Sequence, residues 1–96
     1  MQWIDIEINE GVALLTMQHE QENRLNGPFT RELREALAGM GRDEAVQSLV
    51  ITGGREKFFC NGLDLNWMMQ QGRADLEAFL IQMTQLLKDT AFFGKP

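Results

Sequence analysis

The 96-residue sequence predicts an α/β fold with the element order β-β-α-β-α-α, and three patterns carry that prediction. Apolar and acidic residues alternate near the N-terminus, apolar residues return twice further on at helical spacing, and a short β-branched run separates the two helical stretches. The length suits one domain, in which roughly 60 to 65% of the surface exposed by the unfolded chain becomes buried.

The first strand is read from WIDIEI, where Trp3, Ile4, Ile6 and Ile8 intersperse with Asp5 and Glu7, leaving one face for solvent. Asn9 to Gly11 is a tight-turn signal, and VALLTM follows as a more continuously apolar strand, so the two form an antiparallel hairpin. The polar segment QHEQENRLNG then leads to a helix whose start is marked by Pro28, because proline at the first helical position gives up no hydrogen bond. Phe29, Leu33, Leu37 and Met40 fall on one stripe of that helix, and Gly39 and Gly41 are expected to end it. SLVIT suits a strand covered on both faces, and strand, helix, strand at this spacing implies a parallel crossover. LDLNWMMQQG reads as a short helix stopped at Gly72. A second helix, from about Ala74 to Phe92, carries Leu76, Phe79, Leu80, Met83, Leu86 and Leu87. The methionines and aromatics at helical spacing are read as core.

Composition narrows the classes of function. With 44% hydrophobic and 24% charged residues the chain is an ordinary globular protein. A formal net charge of -5 argues against a nucleic-acid partner. No apolar run approaches the roughly 20 residues that cross a bilayer, so no membrane is expected as a partner, and the acidic N-terminus carries no secretory signal. One cysteine, Cys60, excludes an internal disulfide, and with the single histidine, His19, it cannot form a zinc cage, so no metal is expected. The expected compartment is the reducing cytoplasm.

The segment TGGREKFFCNGLDL holds the chemistry-bearing pattern. It combines the pair Gly53-Gly54, the small run Cys60-Asn61-Gly62 and a helix starting just beyond, where free backbone amides suit an anion. Two plainer readings stand beside it: Asn-Gly is a common turn, and Asp64 can be the helix's own cap. Cys60 has no histidine near it in sequence and reads as an inert thiol. His19, among Gln18, Glu20 and Gln21, reads as a solvated loop residue, and Arg24, Arg55 and Lys57 read as solvated cations that could pair with phosphates.

SLVITGGREKFFCNGLDL, preceded by GVALLTM and NRLNGPFTRELREAL and followed by KP, resembles the crotonase superfamily of enoyl-CoA hydratases and isomerases. The likeness runs through essentially the whole chain, and EKFFCNGLDLNWM is most similar to isomerase-like members. It implies the ClpP/crotonase spiral of β-β-α units, with residues 1–96 as the N-terminal portion of an acyl-CoA-binding domain. It also implies that the residue after the glycine of F-x-x-G-x-D, here Leu63, donates its backbone N–H to a thioester oxygen. By the same likeness, Arg24, Leu25 and Asn26 flank the pantetheine and phosphates, and Lys57 pairs with phosphate. The loop backbone around Asn61 and Leu65 resembles the place where the family receives the adenine ring, which implies that Asn61, Gly62, Asp64, Leu65 and Asn66 bind coenzyme A. The same resemblance implies a coenzyme A thioester as substrate, no covalently bound cofactor, and a homo-oligomeric assembly.

The resemblance further implies that the second oxyanion amide and the acidic residues that move protons lie beyond Pro96. Glu32, Glu35 and Glu56 match none of those positions and read as solvated surface charges. An enzyme portion that is inactive alone is therefore one expectation. The other is a non-catalytic short chain that binds acyl-CoA weakly or self-associates through an exposed sheet edge.

Overall fold

A computed structural model describes all of residues 1–96. Its elements follow the predicted order: β1 (Ile4–Asn9), β2 (Val12–Met17), α1 (Gly27–Arg42), β3 (Ser48–Thr52), α2 (Leu65–Met69) and α3 (Arg73–Ala91). The three strands form one sheet in the order β1-β2-β3. β1 and β2 are antiparallel, with Ile6 opposite Leu15, and β2 and β3 are parallel, with Leu15 opposite Ile51. The hairpin closes through Glu10 (φ 51°) and Gly11 (φ 82°). Two successive residues at positive φ give the two-residue turn whose twist matches that of the flanking strands.

The strand register divides the side chains between two faces. Ile4 and Ile6, Ala13, Leu15 and Met17, and Leu49 and Ile51 share the inner face, against which α1 lays its apolar stripe. The expected stripe residues Phe29, Leu33, Leu37 and Met40 are all buried, with Thr30 and Ala36 beside them. Phe29, among the largest fully buried side chains, contributes about 2 to 3 kcal/mol of transfer free energy by its burial. α3 packs on α1 through Leu86, and Arg34 of α1 donates to Asp89 Oδ2 and Gln82 Oε1, both at 2.7 Å.

Four sequence expectations change. α1 starts at Gly27 and runs through Gly39 and Gly41 to Arg42, because neither glycine takes positive φ and Asp43 is the residue that turns extended. β3 is covered on one face only: Val50 is 49% exposed on the outer face, beside Leu14. On α3 only Phe79 and Leu86 are buried, while Leu80 and Leu87 face outward, as do Met69 and Phe92. Glu32 is not merely solvated: its carboxylate accepts from the Gln2 N–H at 2.6 Å and the Trp3 N–H at 2.7 Å, fastening the N-terminus to α1. No helix is long and apolar enough to cross a membrane.

Candidate functional site

β3 delivers the chain to a loop that returns on itself before α2 begins. Gly53 at its base is buried, and a Cβ there would stand 2.5 Å from Phe58 O and 2.6 Å from Phe59 Cα, so only glycine lets the two arms meet. Gly54 turns at φ 66°. After Phe59 the chain runs beside residues 22–25, which precede α1. Asn61 N–H donates to Glu22 O at 2.9 Å, Leu25 N–H to Gly62 O at 2.8 Å, and Asp64 N–H to Leu25 O at 2.9 Å.

The last two bonds define an isolated parallel bridge between Leu25 and Leu63. In a parallel pair, the residue flanked by such bonds turns its own N–H and C=O to the opposite side. The Leu63 N–H is accordingly directed away from Leu25 and donates to no group of the protein. Leu63 as a residue is half-buried, and its N–H is left for water or a ligand in the space it faces.

The Leu63 amide comes from an extended residue that directly precedes α2. α2 is a five-residue turn of helix in which Trp67 N–H donates to Asp64 Oδ1 at 3.0 Å and Met68 N–H to Asp64 O at 3.0 Å, while the Leu65 and Asn66 N–H groups have no acceptor in the chain. The plain reading of Asp64 as a cap is thus correct. Gly62 (φ 78°) supplies the left-handed step before Leu63, and the Asn61-Gly62 turn and the free amide occur together.

Leu63 lines an open cavity of about 360 Å³ whose other walls are Arg24, Asn61, Asp64, Leu65 and Asn66. Six of the ten residues singled out in the sequence thus meet in one place. Leu25 and Gly62 form the backbone behind it. Asn26 serves as the α1 cap, accepting from Phe29 N–H at 2.9 Å. Lys57 lines none of this cavity; its ammonium lies 5.8 Å from the Phe58 ring centroid. A larger cleft of about 430 Å³ between α1 and α3, with Arg34, Lys88 and Phe92 on its walls, contains none of the ten. Behind Leu25, Met17, Phe59, Cys60 and Met83 border a separate, almost wholly apolar cavity of about 210 Å³.

Arg24 is not a free cation. Its guanidinium pairs with Glu22, whose Oε2 also accepts from Asn61 Nδ2 at 3.1 Å. Arg55 donates to Glu20 O at 3.1 Å. No group of three or more potential metal-ligating side chains occurs.

Of two further residues of this region, the sequence reading placed His19 wrongly and did not single out Asn23. His19 is buried, not solvated: its ring stacks on Phe29 at 4.5 Å and meets Trp3 edge-on at 5.4 Å, with Nδ1 unpartnered and Nε2 3.4 Å from Asn26 Nδ2. Asn23 is fully buried in left-handed backbone (φ 51°), and its amide joins three segments. Nδ2 donates to Gly53 O at 2.8 Å and Phe59 O at 3.1 Å, while Oδ1 accepts from His19 N–H at 2.8 Å. The one local signal was the residue type, since asparagine tolerates positive φ better than most.

Comparison with known proteins now bears on this geometry. The family model described as Enoyl-CoA hydratase/isomerase matches residues 7–93. The chain belongs to the enoyl-CoA hydratase/isomerase family. Among curated relatives of this family member, the bovine mitochondrial enoyl-CoA hydratase domain-containing protein 2 is 32% identical over 89 residues, covering 92% of this chain and 30% of the relative. The carboxymethylproline synthase of Pectobacterium carotovorum subsp. carotovorum is 30% identical over 95 residues, covering 94% of this chain and 37% of the relative. The crystal structure of an enoyl-CoA hydratase/isomerase family protein from Silicibacter pomeroyi superposes with a TM-score of 0.87 at 30% identity, over 97% of this chain and 38% of that one. The crotonase fold is thereby established for this enoyl-CoA hydratase/isomerase family chain. It spans about a third of the length of the curated relatives it matches.

Proposed function

We propose that residues 1–96 are the N-terminal portion of an acyl-CoA-binding domain and supply one oxyanion donor, the Leu63 N–H, to a coenzyme A thioester. The observation that carries this reading is the Leu63 amide, left without a protein acceptor by its bridge to Leu25 while Leu63 lines a cavity with Arg24 and Asn61. An amide held in place before the reaction lowers the energy of charge that develops on the thioester oxygen, and one such donor is worth roughly 2.7 to 4 kcal/mol in the transition state. The donor is part of the main chain, so leucine serves as well as another residue would.

Asn61, Gly62, Asp64, Leu65 and Asn66 form the wall against which coenzyme A lies, with Arg24, Leu25 and Asn26 beside its pantetheine and phosphates. Lys57, outside the cavity wall, reaches a phosphate from the loop tip. Hydration and isomerisation of an enoyl-CoA both pass through an enolate-like oxygen, and this half of the site is suited to either. Moving the proton requires an acid or base. Among the carboxylates here, Glu22 is paired with Arg24, Glu32 holds the N-terminus and Asp64 caps α2, so we assign none of them to that step.

The direct test is binding of crotonyl-CoA carrying ¹³C at the thioester carbonyl, followed by difference infrared spectroscopy. A shift of the carbonyl stretch to lower frequency, with protection of the Leu63 amide from hydrogen exchange, is the expected result. Binding without either change refutes the donor role. Self-association is a second property we propose, favoured by the exposed outer-face residues Leu14 and Val50 and by Ile81 and Leu87 on α3. Light scattering that returns only a monomer at high concentration overturns it.

A further inference from the structure

We infer that Asn23 is the positioning residue for the Leu63 donor, an inference that rests on the reading of Leu63 just given. The loop from Gly53 to Phe59 has a neck where its two arms touch, and the Asn23 amide holds both sides of that neck by their carbonyls. Its oxygen is tied to the backbone of His19, so the clasp is anchored at the end of the sheet. From Phe59 the chain runs four residues to Leu63 along the template Glu22–Leu25, through the bonds of Asn61, Gly62 and Asp64. Asn23 lies within that template and pins the point where the returning arm joins it.

The chemistry requires asparagine. The position needs two N–H donors and one acceptor on a short side chain, and aspartate has the shape without the donors. It also needs a residue that tolerates left-handed backbone, which glycine does but without the amide. Asn23 is fully buried and cannot touch a ligand, so its effect on the thioester passes through Phe59 and the strand-like run to Leu63.

The test compares the 96-residue chain with its Asn23→Asp and Asn23→Gly variants, using ¹³C-carbonyl crotonyl-CoA and free coenzyme A as probes. In Asn23→Asp two donated hydrogen bonds become oxygen–oxygen contacts, and the neck opens. The expected result is loss of most of the carbonyl shift while free coenzyme A is still bound, with Asn23→Gly behaving alike. A carbonyl shift retained in a folded variant overturns the positioning role alone. An unshifted carbonyl in the wild-type chain overturns the Leu63 reading and this inference together. Should both variants fail to fold, hydrogen exchange on the wild-type chain decides. Crotonyl-CoA must slow exchange of the Asn23 side-chain amide and the Leu63 N–H together, and protection of Leu63 with Asn23 unaffected overturns the coupling.

Discussion

Gly53 and Phe59 meet backbone to backbone: a Cβ on Gly53 would stand 2.6 Å from Phe59 Cα and 2.8 Å from Phe59 O. Backbone cannot swing aside as a side-chain tip can, so Gly53→Ala must spread the loop. Overpacking of this kind costs about 1 to 3 kcal/mol. The urea midpoint should fall, and the Asn23 side-chain amide should lose protection. A midpoint equal to wild type would show that the neck is looser than described.

Glu22 occupies the Arg24 guanidinium that a phosphate would use. Glu22→Gln removes the competing charge while leaving an oxygen for the Asn61 amide. A partly exposed ion pair is worth at most about 1 kcal/mol, so coenzyme A should bind up to about fivefold more tightly in calorimetry. The gain should fade as salt is added. Weaker binding would mean that Arg24 does not meet the phosphates.

Glu32 binds two backbone amides near the N-terminus at 2.6 and 2.7 Å. Hydrogen bonds to a charged acceptor are worth about 1.5 to 3 kcal/mol, and here the bond from Gln2 is exposed while that from Trp3 is part-buried. Glu32→Ala should therefore cost about 1 to 2 kcal/mol in thermal or urea unfolding. Exchange at the Trp3 amide should accelerate, and slow exchange there in the variant would refute the clamp.

Trp67 lies so close to Gly27 that an added Cβ would be 2.9 Å from Cη2. The obstacle is the tip of a ring that packs edge-on against Phe79 at 5.0 Å, and a tip can move. Gly27 is the first residue of α1 and precedes Pro28, so only part of the interior preference for alanine over glycine, about 1 kcal/mol, offsets the displacement. Gly27→Ala should leave stability within about 1 kcal/mol of wild type. The emission of Trp67, isolated in a Trp3→Phe background, should shift. Unchanged emission would place the ring elsewhere.

The alternation in β1, the stripe on α1 and the apolar run of β3 made the architecture readable because each is a local pattern tied to one period. Periodicity says which face of an element is apolar, not what covers it, and so the β3 strand with Val50 was expected to be covered on both faces, and the helical spacing of Leu80 and Leu87 did not show that they face outward. The site divides the same way. Leu63, Asn61 and Asp64 lie in one short segment whose motif resembles a known family. Asn23 acts on carbonyls 30 and 36 positions away, and nothing between Glu22 and Arg24 announces such a reach. His19 was misread for the same reason, since its neighbours in sequence are polar while its neighbours in space are Phe29 and Trp3.

The free amide at position 63 has a genetic corollary. A group carried by the main chain survives nearly every codon change, so alanine scanning would score Leu63 as dispensable, however much the chemistry needed it. Proline, which lacks the hydrogen, or a backbone ester introduced by chemical synthesis would expose the dependence. Surveys that weigh a site by how strictly its letters are kept would rank the structural Asn23 above the atom it serves.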